Sequence, residues 1–420
     1  MLKQIEGSRA VAETVAMCRP QVICAYPITP QTHIVEALGA MVKRGELNAE
    51  FLNVESEFAA MSVAIGASAA GARAYTATAS QGLLYMSEAV YNAAGLGLPV
   101  VMTVANRAIG APINIWNDHS DAMSQRDAGW IQLYAETNQE AADLHIQAVR
   151  IAEELSNPVM VCMDGFLLTH ASERVDIPAQ AQVDAFLPPY EPRQVLDPDD
   201  PVSIGAMVGP EAFTEVRYLA FERMRRALDV ISGAEADFGA QFGRGSGGLV
   251  KLYRTDDADL IVVALGSVLG TVKDAIDELR DDGVRAGALG ITTFRPFPAQ
   301  AVRDALGDDD RLRRLVVLER SLAPGAGGVV TADLRTALAT GDGGPRGAII
   351  ATVIAGLGGR PVTRPSLTRM LTRAARGELP EFSFLDLDTH LVEGELTRIR
   401  AARRSGPTAE NILRDLAGRS

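Results

Sequence analysis

CAYPITPQT (residues 24–32) and FLNVESEFAAMSVAIGASAAGARAYTATASQG (residues 51–82) decide the fold. A short apolar run at 21–25 breaks at Tyr26-Pro27 and gives way to a turn carrying Thr29. Proline cannot donate to a sheet ladder, so the run reads as a strand that stops there. A second strand at 51–54 leads into a helix starting near Glu57, built almost wholly from Ala, Gly, Ser, Val and Ile. That helix ends at Gly71, before a third strand at 72–77. Repeated strand–turn–helix units predict a parallel sheet with helices on its faces. Glu57 is the odd residue, a carboxylate heading a helix too apolar to be a solvent face. A helix N-terminus stabilises an ionised carboxylate by roughly 0.3–1 kcal/mol, so Glu57 can stay charged while partly buried. An N-cap or first-turn acid is the plain structural alternative.

Outward from this stretch, the alternation spans residues 1–175 and predicts one domain. Helices at 9–18 and 31–44 flank the first strand. Ser80-Gln81-Gly82 opens another helix, and the continuous apolar run 98–104 suits the interior of a parallel sheet. The loop 105–127 is long and polar, which marks it as functional or interface-forming. A helix at 139–154 and a strand at 158–163 close the domain. Residues 176–248 change character. Pro178, Pro188, Pro189, Pro192, Pro198, Pro201 and Pro210 leave little room for helix, so a surface-hugging crossover is expected, then a polar helix at 211–231. A second α/β domain follows over 249–382, and 383–420 read as a charged helical tail.

Composition sets limits. Of 420 residues 47% are hydrophobic but only 5% aromatic, as in α/β folds with closely packed helices. No run of about 18 apolar residues is present, and MLKQIEGSRA lacks a signal-peptide core, so a soluble, cytoplasmic protein is expected. A net charge of −13 argues against nucleic acid or an anionic membrane as partner. Cys18, Cys24 and Cys162 have no metal-ligand spacing and read as buried small hydrophobes. They cannot supply the thiolates of an iron–sulfur cluster, so any clusters must lie on other chains. The five histidines show no zinc pattern along the chain, and no metal ligand is assigned. Gly243, Gly245 and Gly248 match a GxGxxG spacing but precede a strand rather than a helix, which fails the dinucleotide context. Gly341-Asp342-Gly343 resembles the start of the GDG…N motif that holds magnesium and diphosphate in thiamin enzymes. That motif needs a downstream Asn, and positions 368–373 offer none.

YPITPQT (26–32), VESEFAAMSVAIGASAAGARAYTATASQG (54–82) and NRAIGAPINIWNDHSDAMSQRDAGWIQLYAE (106–136) closely resemble one family. It is the alpha chain of the 2-oxoacid:ferredoxin oxidoreductases, most like the pyruvate enzymes. The likeness continues through VMVCMDGFLLTH (159–170), TTFRPFP (292–298) and GLGGR (356–360). It implies a pyrimidine-type thiamin diphosphate-binding domain followed by a transketolase C-terminal-like domain. It also implies a cofactor site shared with a beta chain that supplies the diphosphate and magnesium half. On this likeness Glu57 matches the glutamate that hydrogen-bonds N1′ of the aminopyrimidine, where a shared proton favours the 4′-imino tautomer. Thr29 matches a threonine at the substrate, and Arg107 the arginine that pairs with the substrate carboxylate as a bidentate fork. Ile28 and Gln81 are the further residues expected to face the cofactor.

The implied reaction is oxidative decarboxylation of pyruvate with transfer of the acyl group to coenzyme A. Electrons would leave through [4Fe-4S] clusters on partner subunits of beta, gamma and delta type to ferredoxin. The same chemistry on a branched-chain 2-oxoacid or phenylglyoxylate, or a non-catalytic scaffold role, stay open. From the residues alone, helix capping accounts equally for Thr29 and for the Ser80 turn. The group Asp118-His119-Ser120-Asp121 is left unassigned.

Overall fold

The computed structural model describes residues 1–307, 312, 314–340, 343–345, 347–401 and 404–418. Gly341 and Asp342, where the GDG motif would begin, lie outside them. The first half runs β1 (Leu2–Glu6), α1 (Gly7–Met17), β2 (Val22–Ala25), α2 (Thr32–Lys43), β3 (Glu50–Asn53), α3 (Glu57–Ala69), β4 (Ala74–Thr78) and α4 (Ser80–Tyr85). It continues with α5 (Ser87–Leu96), β5 (Val101–Asn106), α6 (Ser120–Ser124), β6 (Ile131–Tyr134), α7 (Asn138–Leu155), β7 (Val159–Asp164) and β8 (Ser172–Asp176). Two helices, α8 (Gln180–Phe186) and α9 (Phe213–Phe242), lead to the second half. There follow β9 (Val250–Tyr253), β10 (Leu260–Ala264), α10 (Val268–Asp281), β11 (Ala286–Ile291), β12 (Thr293–Arg295), α11 (Ala299–Leu306), β13 (Arg314–Glu319) and α12 (Val329–Ala339). The chain closes with β14 (Ile349–Ile354), α13 (Arg364–Arg376), β15 (Phe382–Phe384), α14 (Thr389–Ala401) and α15 (Thr408–Ala417).

The α/β alternation yields two sheets. The first has the order β12-β6-β7-β5-β4-β2-β3 and the second β15-β14-β13-β10-β11-β9. Within the first sheet every pairing is parallel except that of β12, which runs antiparallel to β6. In the second, only β9 is antiparallel, to β11. β1 and β8 form a separate antiparallel ribbon, with Leu2 opposite Asp176 and Glu6 opposite Ser172.

Side chains alternate along each buried strand, which sorts them into layers. Val159, Val161 and Met163 of β7 join α1, α2, α7 and the C-terminal half of α9 on one face. Met160 and Cys162 point to the other face, with Met61 of α3, Leu83 of α4 and Val90 of α5. That second cluster runs on without interruption into Ile261, Val263, Leu289 and Val317 of the second sheet. The far face of the second sheet, with Leu260, Val262, Val316 and Leu318, is covered by α10 and α13.

Three expectations change. The crossover holds a helix after all, α8, because the gap between Pro178 and Pro188 is long enough for two turns. The following helix continues beyond 231 to Phe242, burying Ala234 and Phe238 on the way. It stops at Gly243 (φ +72), so the first glycine of the GxGxxG spacing is a left-handed helix cap. The strand expected from residue 98 begins at Val101, since Pro99 has no amide hydrogen to pair. All three cysteines are free and buried, and burial pushes the Cys18 thiol up to about 12 and the Cys24 thiol to about 11.

Candidate active site

Strands β2, β4 and β5 lie side by side and parallel, so the turns leaving their carboxyl ends meet at one edge of the sheet. Open α/β sheets bind ligands at this edge. The turn after β2 carries Ile28 and Thr29, the turn after β4 carries Ser80 and Gln81, and the loop after β5 begins with Arg107.

Arg107 is 6% exposed. Its Nε donates to the Asn114 carbonyl (2.9 Å) and its Nη1 to the Thr29 carbonyl (3.0 Å). Among the described residues it forms no ion pair. Burial pulls the guanidinium below its ordinary pKa, opposed by the charge of Asp121. A buried cation held only by carbonyls is incomplete without an anion, because desolvation is costly unless the charge is paired. Thr29 is exposed beside it. It does not cap α2, which begins three residues later without a side-chain cap. Among the described residues its hydroxyl makes no hydrogen bond. Ile28 is half-buried in the same turn, its carbonyl accepting from the Gln31 amide (2.9 Å).

Glu57 is 8% exposed and opens α3. Capping falls to its neighbour: the Ser56 hydroxyl accepts from the Ala59 amide at 3.1 Å. The Glu57 carboxylate lies directly over Gly82, where an added Cβ would meet Glu57 Oε1 at 2.7 Å and Thr78 Oγ1 at 2.6 Å. Thr78 Oγ1 is itself buried without a partner. Among the described residues the Glu57 carboxylate makes no hydrogen bond or ion pair. The helix end supplies a favourable field but no donor, so a protonated ring nitrogen would complete it. A thiamin aminopyrimidine fits this pair of unpartnered oxygens.

Ser80 has φ +51, a left-handed backbone rare for a residue with a side chain. Its hydroxyl donates to the Ala108 carbonyl (2.5 Å) and contacts Gln81 Oε1, so it ties two strand-end turns together instead of capping α4. Gln81 reaches toward the Arg107 loop, where a Cβ on Gly110 would meet Gln81 Nε2 at 2.5 Å.

Asp121, fully buried, holds this arrangement. Its Oδ2 accepts from the backbone amides of Ser80 and Arg107, both at 2.9 Å. Its Oδ1 accepts from Asn106 Nδ2 (2.9 Å) and the Ala122 amide (2.7 Å). Burial raises the carboxyl to about 6 against the pull of these bonds. The turns after β4 and β5 thus share one buried acceptor.

The second sheet closes the rear. Asp118 Oδ2 accepts from the Gly358 amide (3.0 Å), and Asn114 Nδ2 donates to the Gly358 carbonyl (3.1 Å). Behind them Asp164, at the end of β7, accepts from His119 Nε2 (2.8 Å), the Ser267 amide (2.9 Å) and Arg320 Nη1 (3.3 Å). Burial alone would raise the Asp164 carboxyl, but Arg320 and His119 hold it well below the usual carboxylate range.

Thr29 and Arg107 therefore touch, and Gln81 and Glu57 flank the single turn 80–82. Asp121 and Asp164 escaped sequence reading, because their partners lie on turns far apart in the chain. The Asp118–Asp121 run was the available signal, four consecutive polar or charged residues within the polar loop 105–127.

Comparison with known proteins gives the following. Residues 13–236 match the family model of the pyruvate flavodoxin/ferredoxin oxidoreductase thiamine diphosphate-binding domain. Residues 258–366 match pyruvate:ferredoxin oxidoreductase core domain II. The chain is 46% identical to the pyruvate synthase subunit PorA of Methanosarcina barkeri, over 92% of this chain and 97% of that protein. It is 44% identical to PorA of Methanothermobacter thermautotrophicus, over 90% and 96%. Against the ketoisovalerate oxidoreductase subunit VorA of Pyrococcus abyssi identity is 39%, over 86% and 90%. Among solved structures, the chain is similar to a 2-oxoglutarate:ferredoxin oxidoreductase from Magnetococcus marinus, with TM-score 0.68 at 18% identity. That match covers 89% of this chain but only 65% of the longer one. A split-gene transketolase aligns with TM-score 0.51 at 14% identity, over 89% of this chain and 99% of the other. These two likenesses concern the fold.

Proposed function

The chain belongs to the pyruvate:ferredoxin oxidoreductase family, and from that premise we propose how its residues divide the work of oxidising pyruvate. The overall reaction takes pyruvate and coenzyme A to acetyl-CoA and CO2, with two electrons passing to ferredoxin. Thiamin diphosphate, when bound, supplies the nucleophilic carbon and electron sink that decarboxylation of a 2-oxoacid requires. Glu57 holds the proton at N1′ of the aminopyrimidine. Gly82 leaves room for that contact, and Gln81 and Ile28 would help to hold the ring. Arg107 binds the carboxylate of pyruvate through the guanidinium edge that Thr29 and Asn114 leave open, which orients the keto carbon. The Thr29 hydroxyl donates to the keto oxygen. Asp121 fixes the backbone of both turns.

The observation that carries this reading is the buried Arg107, which among the described residues has no ion-pair partner, sharing a sheet edge with the Glu57 carboxylate, likewise unpaired among them. Tyr26, Phe58, Ile113 and Trp116, near these residues in sequence, are exposed large hydrophobic side chains, which supports a partner subunit packing on that side. A beta-type subunit covering that side would bring the magnesium and diphosphate half, with gamma and delta types completing the complex and [4Fe-4S] clusters carrying electrons. No helix among the described residues is long and apolar enough to cross a membrane, and the proposal places the complex in the cytoplasm. Pyruvate is favoured over branched-chain oxoacids because identity to the PorA chains exceeds that to VorA.

The test is anaerobic viologen reduction by the native co-purified complex with pyruvate, 2-oxoisovalerate and phenylglyoxylate, with and without coenzyme A. Pyruvate-dominant, coenzyme A-dependent reduction is expected. Preference for a bulkier oxoacid would overturn the substrate. No activity with any of them, in a complex that retains thiamin diphosphate and clusters, would leave a scaffold role.

A further inference from the structure

The histidines that show no metal spacing along the sequence include two that the fold brings face to face. His33 lies in the first turn of α2 and His170 six residues beyond the end of β7, with ring centroids 4.6 Å apart. Glu6, the last residue of β1, joins them: its Oε1 lies 2.7 Å from His33 Nδ1. One nitrogen of each ring and one Glu6 oxygen lie within 4.8 Å of one another. We propose that Glu6, His33 and His170 form a binding site for one divalent ion of the zinc class, bridging β1, α2 and the loop after β7.

Two imidazoles and one carboxylate are the three-ligand set of an open zinc site, with the fourth position left to solvent. Zn–N bonds of about 2.0–2.1 Å put tetrahedral donors about 3.4 Å apart, so the trio must close by about an ångström. The residues free to move are the ones that need to: the His33 and Glu6 side chains are 49% and 33% exposed. His170 is the anchored member. Its Nδ1 lies 2.7 Å from Thr169 Oγ1, which also accepts from the Phe166 amide (2.8 Å), and Thr169 is fully buried. The Thr169 carbonyl in turn accepts from the Ser8 hydroxyl (2.7 Å), beside β1. With Nδ1 engaged, Nε2 of His170 is the nitrogen left for a metal, an orientation device common behind metal-binding histidines. The pairing also explains an otherwise unfavourable juxtaposition. Two imidazoles this close repel once protonated, whereas a shared cation serves both and the carboxylate.

The position gives such an ion a structural effect. His170 packs tilted against Phe166 and Phe166 against Trp116, each with ring centroids 4.8 Å apart, and Trp116 belongs to the loop that follows Arg107. His33 stands four residues after Thr29. An occupied site would pin both segments from behind.

The test uses the full-length chain, stripped with chelator and titrated with Zn2+ by calorimetry and with Co2+ by visible absorption. One Zn2+ per chain and the intense absorption of tetrahedral Co2+ are expected. His33→Ala or His170→Ala should weaken Zn2+ binding by at least about tenfold with an unchanged far-ultraviolet dichroism spectrum, whereas His390→Ala leaves it intact. Should the half-buried His170 variant fold poorly, exposed His33→Gln decides the matter alone. Absent binding, several loose equivalents, or affinity indifferent to His33 would each overturn the site.

Discussion

Arg107 sits among backbone carbonyls and keeps one edge of its guanidinium unused, so its replacement by Lys preserves charge but removes the fork. Pyruvate should still turn over, with KM raised roughly 10–100-fold and kcat changed less. An Arg107→Lys complex with unchanged KM would remove the carboxylate contact from the mechanism. Glu57→Gln keeps the shape of the contact with N1′ but cannot hold its proton, and kcat should fall roughly 10²–10⁴-fold. Full viologen reduction by that variant would return Glu57 to the role of first-turn acid. The sequence singled out both residues because each departs from its surroundings, a charge at the head of an apolar helix or at the end of an apolar strand, and the structure buries both. The role of Asp121 was not legible there, since the Asp118–Asp121 run marks a polar segment without showing which carboxylate takes donors from Ser80, Asn106 and Arg107. Its importance exists only once two turns have been folded together.

Elements carry the next two expectations. The turn from β4 into α4 can pass under Glu57 only because residue 82 has no Cβ. Gly82→Ala would drive a methyl into Glu57 Oε1 and Cγ and into Thr78 Oγ1, all at 2.8 Å or less. Activity should drop toward that of Glu57→Gln, while thermal unfolding shifts by only a few degrees; retained activity would show that the carboxylate need not lie there. Between β4, β5 and α7, Tyr75, Thr103 and His145 form a buried chain, with His145 Nδ1 2.6 Å from the Ala141 carbonyl. Burial lowers the His145 pKa from 6.5 to about 4. The unfolded chain therefore takes up that proton first, and His145 costs stability as pH falls through this window, on the order of 3 kcal/mol. Asp121 acts with the opposite sign, its raised carboxyl gaining a proton in the folded state first. The gap in melting temperature between wild type and His145→Gln should shrink steadily from pH 7 to pH 4. A constant gap would mean that His145 takes up its proton as readily in the folded protein as in the unfolded chain. The strands and helices themselves were largely readable from apolar runs and Gly or Pro stops. The β1–β8 ribbon was not, because its partners lie far apart in the chain and neither strand is apolar enough to announce itself.

At the scale of the molecule, the two sheets share one apolar cluster and one buried ion network. Asp164→Asn strips the charge that Arg320 and His119 surround, and a broken buried pair typically costs about 3–5 kcal/mol. A single unfolding transition at lower denaturant should result; a separate early transition for residues beyond β9 would show that the sheets unfold independently. The motif GLGGR was visible in the sequence, yet its place against Asn114 and Trp116 was not, since that contact spans more than half the chain. The same holds for β12, which turns away from its own sheet to line the margin of the first. Without β12, β6 would present a bare row of amide and carbonyl groups on an otherwise apolar strand, a template for pairing with any extended chain. A fragment cut before residue 293 should therefore self-associate on expression, even though every residue of the catalytic edge is retained in it.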